Sequence, residues 1–488
     1  MSDNIEKYLS TIRGKNIHII GASGSEGTAI AEFLIDNKID QITLHDFQPD
    51  LRSFRHRFKQ THTSISAPER SKKLKKIINS KVKLNLKENY LKNIHQADLI
   101  FLTQAWYLYP PNFPRLQKAI DMKIPVSSLT KLYFDLTPCP IIGITGSNGK
   151  TTTTTIITKI LQAGGYRVFT SGNERSIYEQ ILPQIRSIKP TDILVLEISN
   201  RQLTIDLQSS PHIAVLTNIH PNHISEHKSY KKYQETKFSL FKYQNKNDVA
   251  IINLDNSIIK KNLHRFPAPI IPFSLKKKSS QNLYMKKNKI YYKNKLWLSI
   301  SNPYLENSHN PANILAALGA ISKFDIKTTT ITKVLNNFQG IPHRLEKIAH
   351  IKGIDIIDDL KSSTPTSTIS AINSFPDKDI HLIIGGNHKK VNHNLLAKII
   401  NQRINNLYLL PGTTSNSLEK SLSNQKEKSV KIHKNKDLTD ILQLALKNAK
   451  TGDIILMSPA GANFQELHLK NKYSLKSILE TIYRKPNK

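Results

Sequence analysis

The 488-residue sequence has one cysteine, Cys139, and no long apolar run. A single cysteine excludes an internal disulfide and a metal site built from several thiolates, and we expect Cys139 to be a packed, unreactive thiol. No stretch approaches the roughly 18 apolar residues that span a bilayer, and the opening MSDNIEKYLSTIRGK lacks a signal-peptide core. We therefore expect a cytoplasmic globular protein without membrane insertion.

Acidic residues are scarce beside basic ones: 37 Asp and Glu stand against 71 Lys and Arg, a formal charge of +34. Such an excess can indicate nucleic-acid binding, because Lys and Arg neutralise phosphates. Here the lysines occur along the whole chain, for example in 72–76 and 274–280, beside many Asn and Ile. This spread is typical of an AT-rich coding sequence and not of a binding module. We expect no specific nucleic-acid partner, although a nucleic-acid-binding P-loop ATPase stays an alternative.

The chain also lacks internal repeats and low-complexity linkers, while its length predicts two to four domains. Strand and helix patterns alternate, which predicts parallel sheets covered by helices. We expect an α/β protein of three domains: a Rossmann-like domain (1–130), a central domain of the P-loop ATPase type with a parallel sheet (131–340), and a C-terminal Rossmann-like domain (341–488). The basic stretch 52–83 is typical of a solvated insertion.

A strand, a glycine turn and a helix are predicted near the start. The apolar run Ile17–Ile20 is followed by Gly21, Gly24 and Gly27, and a helix that begins there can receive phosphate at its N-terminal amides. The next predicted strand ends at Asp46, where Rossmann-like domains place an acidic residue near a ribose. The spacing G-x-x-G-x-x-G differs from the dinucleotide fingerprint, so this pattern alone is a weak signal.

The strongest motif is ITGSNGKTT at 144–152, again between a strand and a helix. Backbone amides of such a loop can bind phosphate oxygens, Lys150 can reach the β- and γ-phosphates, and the Thr151 hydroxyl can bind Mg²⁺. The general Walker pattern has glycine where Ile144 stands, so this is not the common GTPase loop. The residues predicted to hold the nucleotide here are Gly146, Ser147, Asn148, Gly149, Lys150, Thr151 and Thr152.

The form of this loop and the order of the later motifs resemble the Mur ligase family over nearly the whole chain. Those motifs are GN (172–173), LEISNRQL (196–203), TNIHPNHISEH (217–227), YQETKFSLF (233–241), HNPANILAA (309–317), GIPHRLE (340–346), DDLKSST (358–364), LIIGGNHK (382–389) and MSPAGANF (457–464). The order and spacing are most similar to the members that add glutamate to UDP-N-acetylmuramoyl-L-alanine. The resemblance implies an ATP- and Mg²⁺-dependent ligase that acts through an acyl phosphate in peptidoglycan precursor synthesis, as a monomer.

The resemblance also implies roles for individual residues. Catalysis would fall to Lys150, Glu197, His223 and Lys237. Metal ions would be held by Thr151, Glu197 and His223, and by Lys237 if it is carbamylated. Without the family context, Glu197 could be a surface residue, His223 a structural histidine and Lys237 an ordinary surface lysine.

By the same resemblance, further residues would contact the nucleotide and the substrates. The residues that would contact the nucleotide are Asn310, Asn313, Arg344 and Asp359. The residues that would contact the substrates are Gly24, Ser25, Asp46, Asn173, Ser199, Gln202, Lys361, Ser363, Lys389 and Asn463. Lys361, Ser363 and Lys389 match the positions that bind the carboxylates of the incoming glutamate, a dianion for which cations are suited.

Three departures from the family pattern keep alternatives open. Asn222 replaces the usual Asp before the metal-binding His, and the glycine turn has its own spacing. The ending SPAGANFQELHLKNKYS has Asn463 where Ser is usual and lacks the Arg-Gly pair. D-glutamate is favoured as the added amino acid; L-glutamate, another Mur-type or folylpolyglutamate-type ligase, and a binding protein without activity stay as alternatives.

Overall fold

A computed structural model describes most of the chain. The described ranges are 3–62, 65–104, 112–172, 180–221, 224–227, 229–276, 282–302, 310–388, 392–425, 430–469 and 475–484. They divide into two compact units, one made of Met1–Ser301 with Pro311–Asn337, the other of Asn302–Asn310 with Phe338–Lys488. Three sheets run through these units, two in the first and one in the second.

The first sheet is parallel, with its five described strands in the order β3-β2-β1-β4-β5. Its elements in chain order are α1 (Asp3–Ile12), β1 (Ile17–Ile20), α2 (Ser25–Asp36), β2 (Ile42–His45), α3 (Leu51–Thr61), α4 (Ala67–Asn79), β3 (Lys83–Asn85), β4 (Leu99–Leu102), α5 (Asn112–Asp121), β5 (Val126–Ser127) and α6 (Leu129–Leu136). Strands β1 and β4 are buried throughout, as expected for the middle of a parallel sheet.

The prediction of a solvated insertion at 52–83 was wrong. This stretch forms most of α3, all of α4 and the start of β3. Asp50 caps α3 by accepting a 2.7 Å bond from the Ser53 amide, and Phe54 and Phe58 are fully buried while Lys59, Lys72 and Lys75 are exposed. The high charge density hid the few apolar side chains that bury one face of each helix.

The central sheet has nine described strands in the order β14-β13-β12-β11-β10-β9-β6-β8-β7. Its elements are β6 (Ile141–Thr145), α7 (Lys150–Ala163), β7 (Val168–Ser171), β8 (Ile193–Glu197), β9 (Ile213–Leu216), α8 (Ile224–His227), α9 (Tyr230–Phe238), β10 (Val249–Asn253), α10 (Ser257–Lys261), β11 (Ile270–Ser274), β12 (Leu283–Lys286), β13 (Lys289–Tyr292), β14 (Lys295–Ser299), α11 (Asn310–Ile321) and α12 (Thr328–Asn336). Strands β6 to β12 pair in parallel, and β13 and β14 add an antiparallel edge.

The sheet of the second unit has six described strands in the order β15-β16-β20-β17-β18-β19. Its elements are β15 (Glu346–Ile351), β16 (Ile354–Asp358), α13 (Pro365–Asn373), β17 (Ile380–Ile384), α14 (Asn394–Arg403), β18 (Ile404–Leu409), α15 (Thr413–Ser423), β19 (Lys431–Lys434), α16 (Leu438–Asn448), β20 (Ile454–Met457), α17 (Phe464–His468) and α18 (Leu475–Arg484). Strand β15 is antiparallel to β16 and the other pairs are parallel.

The three sheets confirm the predicted α/β class. In each, some of the quoted motifs follow the carboxyl ends of buried strands, where ligands bind in open parallel sheets. Among the described helices, none is long and apolar enough to cross a membrane.

Candidate active site

The phosphate loop between β6 and α7 depends on two glycines with positive φ. Gly146 has φ 151° and Gly149, which precedes the first residue of α7, has φ 84°. A Cβ atom at Gly146 would lie 2.0 Å from Thr217 Oγ1, and one at Gly149 would lie 2.1 Å from Asn313 Oδ1. Only glycine fits both the backbone conformation and these close approaches.

The loop is braced from β9's carboxyl end by Asn218. Its backbone carbonyl accepts from the Ser147 amide (2.9 Å), and its side-chain Oδ1 accepts from the Asn148 amide (2.9 Å). Two of the amides that we predicted to face phosphate therefore hold the loop in shape. The amides of Lys150, Thr151 and Thr152 open α7 and have no carbonyl one turn earlier in the helix, which places them where a phosphate can bind; the Thr153 amide donates to the Gly149 carbonyl (2.9 Å).

Lys150 arches back over the loop. Its Nζ donates to the carbonyl oxygens of Gly146 (3.1 Å) and Ser147 (3.4 Å). The Ser147 hydroxyl lies 2.9 Å from the Tyr233 hydroxyl of α9 and accepts from the His220 amide at 2.9 Å. The ammonium is thus held at the loop by carbonyl dipoles, where it can turn to a phosphate.

A buried polar cluster adjoins the loop. Lys237 is 1% exposed and its Nζ donates to Thr145 Oγ1 at 3.0 Å. Burial lowers the pKa of Lys237 well below its ordinary value; the nearby Lys150 charge lowers this pKa further, and Glu197 opposes the shift. Glu197, at the end of β8, is buried, and its Oε2 has no hydrogen-bond partner among the described residues.

Asn313 is buried in the first turn of α11, beside Gly149. Asn310 begins the same helix, but its side chain lies outside the described residues. The structure therefore brings Asn313 to the phosphate loop, as a nucleotide contact requires.

The glycine turn of the first domain is braced by Asp46. This carboxylate is fully buried and accepts from the amides of Ser23 (2.7 Å) and Gln48 (3.2 Å). Burial raises the pKa of Asp46, and the hydrogen bonds oppose this shift. Gly24 and Ser25 lie at the start of α2 beside this brace, and the predicted ribose contact of Asp46 stays a prediction.

Ser199 and Gln202 face the same turn from the central domain. The Gln202 Nε2 donates to Glu26 Oε1 in the first turn of α2 (3.1 Å), and the Ser199 amide donates to Gln202 Oε1 (2.9 Å). The Gln104 amide donates to Glu26 Oε2 at 2.8 Å. Of the predicted substrate residues, Gln202 therefore contacts the first turn of α2 through Glu26, and Ser199 holds Gln202.

In the second unit, Asp359 follows β16 and is buried. Its Oδ2 accepts from the Ser458 hydroxyl (2.8 Å) and its Oδ1 from the Leu345 amide (3.3 Å). Burial raises the pKa of Asp359 to about 6, and the hydrogen bonds and the charge of the neighbouring Arg344 oppose this shift. Arg344 and Asp359 are thus close enough to interact electrostatically, and their contacts to the nucleotide stay a prediction.

Of the predicted glutamate residues, Lys361, Ser363 and Asn463 are described, and they follow the strands β16 and β20 of this sheet. The Lys361 amide donates to the carbonyl of His343 (3.1 Å), and the Ser363 amide to that of Lys361 (2.9 Å). Asn463, exposed at the start of α17, follows Ala462, whose backbone exchanges two hydrogen bonds with Asn387. This bridge joins the Asn463 loop to the loop that leads to position 389.

Three predicted residues, Asn173, His223 and Lys389, lie outside the described residues, as does Asn222. Their roles stay predictions. Glu226, three residues after His223 in the sequence, is described, and its carboxylate accepts two hydrogen bonds from the Arg201 guanidinium at 2.7 and 2.9 Å.

Sequence reasoning missed several supporting residues, of which Asn218, Glu26 and Ser458 are the clearest. Each is polar and sits one to six residues beyond a strand end, inside or beside a motif already quoted. Their closeness to a strand end could therefore have identified all three as candidate site residues. The atoms that each contacts depend on the pairing of distant strands, and the local sequence does not encode that pairing.

Two family models match this chain: the Mur ligase middle domain over residues 144–321, and the glutamate ligase domain of Mur ligases over residues 343–461. UDP-N-acetylmuramoylalanine–D-glutamate ligase of Acetivibrio thermocellus is 34% identical over 392 residues, covering 78% of this chain and 82% of that protein. The protein of the same name from Clostridium botulinum is 30% identical over 468 residues, covering 95% of this chain and 96% of that protein.

Solved structures share the fold. UDP-N-acetylmuramate–alanine ligase MurC of Thermotoga maritima has a TM-score of 0.59 at 15% identity, covering 96% of this chain and 99% of that one. MurF ligase of the same organism, in complex with ADP, has a TM-score of 0.58 at 18% identity, covering 86% and 94%. The motifs, the three sheets and these relatives lead to one conclusion: the chain belongs to the Mur ligase family of ATP-dependent amide ligases.

Proposed function

We propose that this ligase joins D-glutamate to the carboxylate of UDP-N-acetylmuramoyl-L-alanine at the expense of ATP, in peptidoglycan precursor synthesis. The observation that carries the proposal is the phosphate loop with Lys150 arched over it and the buried Glu197 and Lys237 beside it. The relatives named for D-glutamate addition support the choice of substrates. They do not favour the folate-ligase or nucleic-acid ATPase alternatives.

In the first step, an oxygen of the substrate carboxylate attacks the γ-phosphorus of ATP, the bond to the β-phosphate oxygen breaks, and ADP leaves. Negative charge grows on the bridging oxygen and is spread over the transferring phosphoryl group. Lys150 and the first-turn amides of α7 stabilise that charge, because they are fixed at the loop before the reaction begins. The product is an acyl phosphate.

In the second step, the neutral amine of glutamate attacks the acyl carbon, the tetrahedral intermediate collapses, and inorganic phosphate leaves. The proton lost by the amine passes to solvent or to the departing phosphate. Lys361, Ser363, Lys389 and Asn463 are the residues that we assign to glutamate. Cationic and polar side chains suit the two carboxylates of that substrate.

Mg²⁺ fits the residues present at the loop. The orphaned Oε2 of buried Glu197 and the hydroxyl of Thr151 are the hard oxygen donors that Mg²⁺ prefers, and His223 is the third candidate. A bound ion would neutralise charge on the phosphates. Thr151 and Glu197 would hold it there.

Lys237 is suited to carbamylation. A buried lysine whose pKa is lowered is more often neutral, and only the neutral amine attacks CO₂. The nitrogen bonds to the carbon of CO₂ and a proton leaves, so that the cation becomes a carboxylate. That group and Glu197 would then offer two acidic ligands to a metal ion.

The remaining assignments follow the same logic. Asn310, Asn313, Arg344 and Asp359 bind the nucleotide. Gly24, Ser25, Asp46, Asn173, Ser199 and Gln202 bind or shape the UDP-substrate site. We place the enzyme in the cytoplasm as a monomer without a nucleic-acid partner, since ATP and UDP-linked sugars are made there and the positive charge is spread along the chain.

The test is phosphate release by the full-length protein with ATP, Mg²⁺ and UDP-N-acetylmuramoyl-L-alanine, offered D-glutamate, L-glutamate or L-alanine. We expect release with D-glutamate and a ligated product of the corresponding mass. Release with L-glutamate alone would correct the stereochemistry. Release stimulated by DNA or RNA, and indifferent to the UDP substrate, would overturn the proposal.

A further inference from the structure

We propose that a polar cavity at the amino end of the first sheet binds a small phosphate-bearing anion. The cavity has a volume of about 300 Å³ and is lined by residues at the starts of β1, β2 and β3 and by the segment 92–96. The glycine turn follows the opposite, carboxyl end of β1. The cavity is therefore separate from the ligase site, and the inference does not rest on the proposed function.

The cavity floor is formed by three strands in register. His18 pairs with Thr43, and Thr43 with Lys83, so the three side chains stand side by side on one face of the sheet. All three line the cavity, although His18 is only 2% exposed. A buried polar side chain therefore meets the inner end of the cavity.

Hydrogen bonds fix the tautomer of His18. The Leu91 amide donates to His45 Nδ1 at 3.0 Å, so His45 carries its proton on Nε2. That proton is donated to His18 Nδ1 at 2.9 Å, which leaves the His18 proton on Nε2. The described part of the chain gives this N–H no acceptor, so it can donate to water or to an anion at the cavity that His18 lines.

The His18 N–H donor is neutral, and its protonation state does not change near neutral pH. Burial lowers the pKa of His18 to about 4 and that of His45 to about 3; Lys83 lowers both further, and Asp98 opposes the shift of His18. At neutral pH the pair therefore offers one fixed N–H and no charge of its own.

The charge at the rim comes from lysines. Lys81, Lys83 and Lys92 line the cavity, are exposed, and form no ion pair with any described residue, whereas Asp40 is the one carboxylate in the lining. Three cations and a buried N–H are donors, and phosphate oxygens are acceptors that carry the matching charge. Because His18 is almost fully buried, a phosphate that reaches it must project into the cavity, as a terminal phosphate can and the flanked phosphates of a polymer cannot.

The test is calorimetric titration of the full-length protein with pyrophosphate at low salt, with saturating ADP and UDP present to fill the nucleotide sites. We expect binding by the wild type and roughly ten-fold or greater weakening in the double variant Lys83→Gln, Lys92→Gln. The matched control, Lys289→Gln with Lys295→Gln, removes two exposed charges from β13 and β14 and should bind as the wild type does. His18→Phe should lose binding with the lysines intact, with thermal unfolding as the check on its fold.

Absence of binding by the wild type would overturn the proposal, as would equal affinity in the Lys83/Lys92 variant. A third result would also overturn it: a single-stranded oligonucleotide that binds the wild type more tightly than pyrophosphate does, and whose binding is lost in the Lys83/Lys92 variant. The surface would then be a nucleic-acid-binding site. None of these results involves turnover, so each is distinguishable from failure of the ligase assignment.

Discussion

The glycine turn after β1 and the phosphate loop after β6 are built alike and charged differently. In both, a buried parallel strand ends at a glycine with positive φ, Gly21 at 86° and Gly146 at 151°, and a helix follows. The first turn is braced by the Asp46 carboxylate, and Glu26 is the second residue of the helix that follows. The second is braced by the uncharged Asn218 and starts its helix with Lys150.

This difference separates two tasks that the glycine pattern alone does not distinguish. Carboxylates at the first turn repel a phosphoryl group that is gaining charge, so phosphoryl transfer is not expected there. The diphosphate of a bound UDP substrate gains no charge and can be held by the amides that open α2. A lysine and helix amides at the second turn attract a phosphoryl group that is gaining charge. We therefore assign phosphoryl transfer to the second turn from the charge of the residue that holds each turn and of the residues that open each helix.

The largest expected effect is that of Lys150→Ala, which removes the cation from the phosphate loop. We expect kcat to fall roughly 10³-fold, because the lysine stabilises charge that appears in the transition state. Phosphate release measures this. Lys159→Ala, on the exposed side of the same helix, is the control and should keep near-normal turnover. Wild-type kcat in Lys150→Ala would remove the loop from the chemistry.

Gly149→Ala tests the shape of the loop. A methyl group there would lie 2.1 Å from Asn313 Oδ1, so the loop must shift, and we expect kcat/KM for ATP to fall on the order of 10²-fold. Gly165, at the other end of α7, has a similar φ of 89° but open space around it. Gly165→Ala should therefore cost about 1 kcal/mol of stability and leave the ATP kinetics unchanged. Equal kinetics in the two variants would mean that the close approach of Asn313 has no role.

Asp46→Ala tests the brace of the first turn. The buried amides of Ser23 and Gln48 lose their acceptor, so we expect a loss of about 1–3 kcal/mol in the free energy of unfolding. We also expect a several-fold higher KM for the UDP substrate. Asp50→Ala removes a carboxylate that caps α3 but does not contact the turn, and should leave that KM unaltered. A raised KM for ATP alone in Asp46→Ala would reverse the assignment of the two turns.

The smallest expected effect concerns stability and pH. The pKa of Lys237 is lowered on folding, so the unfolded state binds more protons between the folded pKa and 10.5, and stability rises with pH through that window. Lys237→Met should therefore be more stable than the wild type near neutral pH, by roughly 1 kcal/mol or more, and the gain should shrink as pH approaches 10.5. Urea unfolding in bicarbonate-free buffer at several pH values measures it. A gain independent of pH would show that packing, not charge, is responsible.

Much of the fold was predictable because it follows from local patterns. Buried strands such as Ile17–Ile20 and Ile141–Thr145, followed by glycine and helix, confirmed the α/β class. The helices α3 and α4 were missed because lysine density outweighed a few buried apolar residues. The antiparallel edge of β13 (KIYY) and β14 (KLWLS) also went unpredicted, because these short segments lie among lysines and asparagines that drew attention to the charge.

The site was predictable as a set of motifs but not as a set of contacts. Lys150, Glu197 and Lys237 were identified by resemblance, and the structure brings them together. That Asn218 holds two loop amides, or that Glu26 receives Gln202, depends on which strand ends become neighbours. The same holds for Asp46: its place at the end of the second strand was predicted, but its hydrogen bonds to the amides of Ser23 and Gln48 were not.

The most direct test of the division between the two turns is the pair of Michaelis constants, for ATP and for UDP-N-acetylmuramoyl-L-alanine, measured in Gly149→Ala and Asp46→Ala. We predict a crossed result, in which Gly149→Ala raises the constant for ATP and leaves that for the UDP substrate near the wild-type value, while Asp46→Ala does the opposite. If both variants raise the same constant and spare the other, the two glycine turns do not have the separate tasks assigned to them.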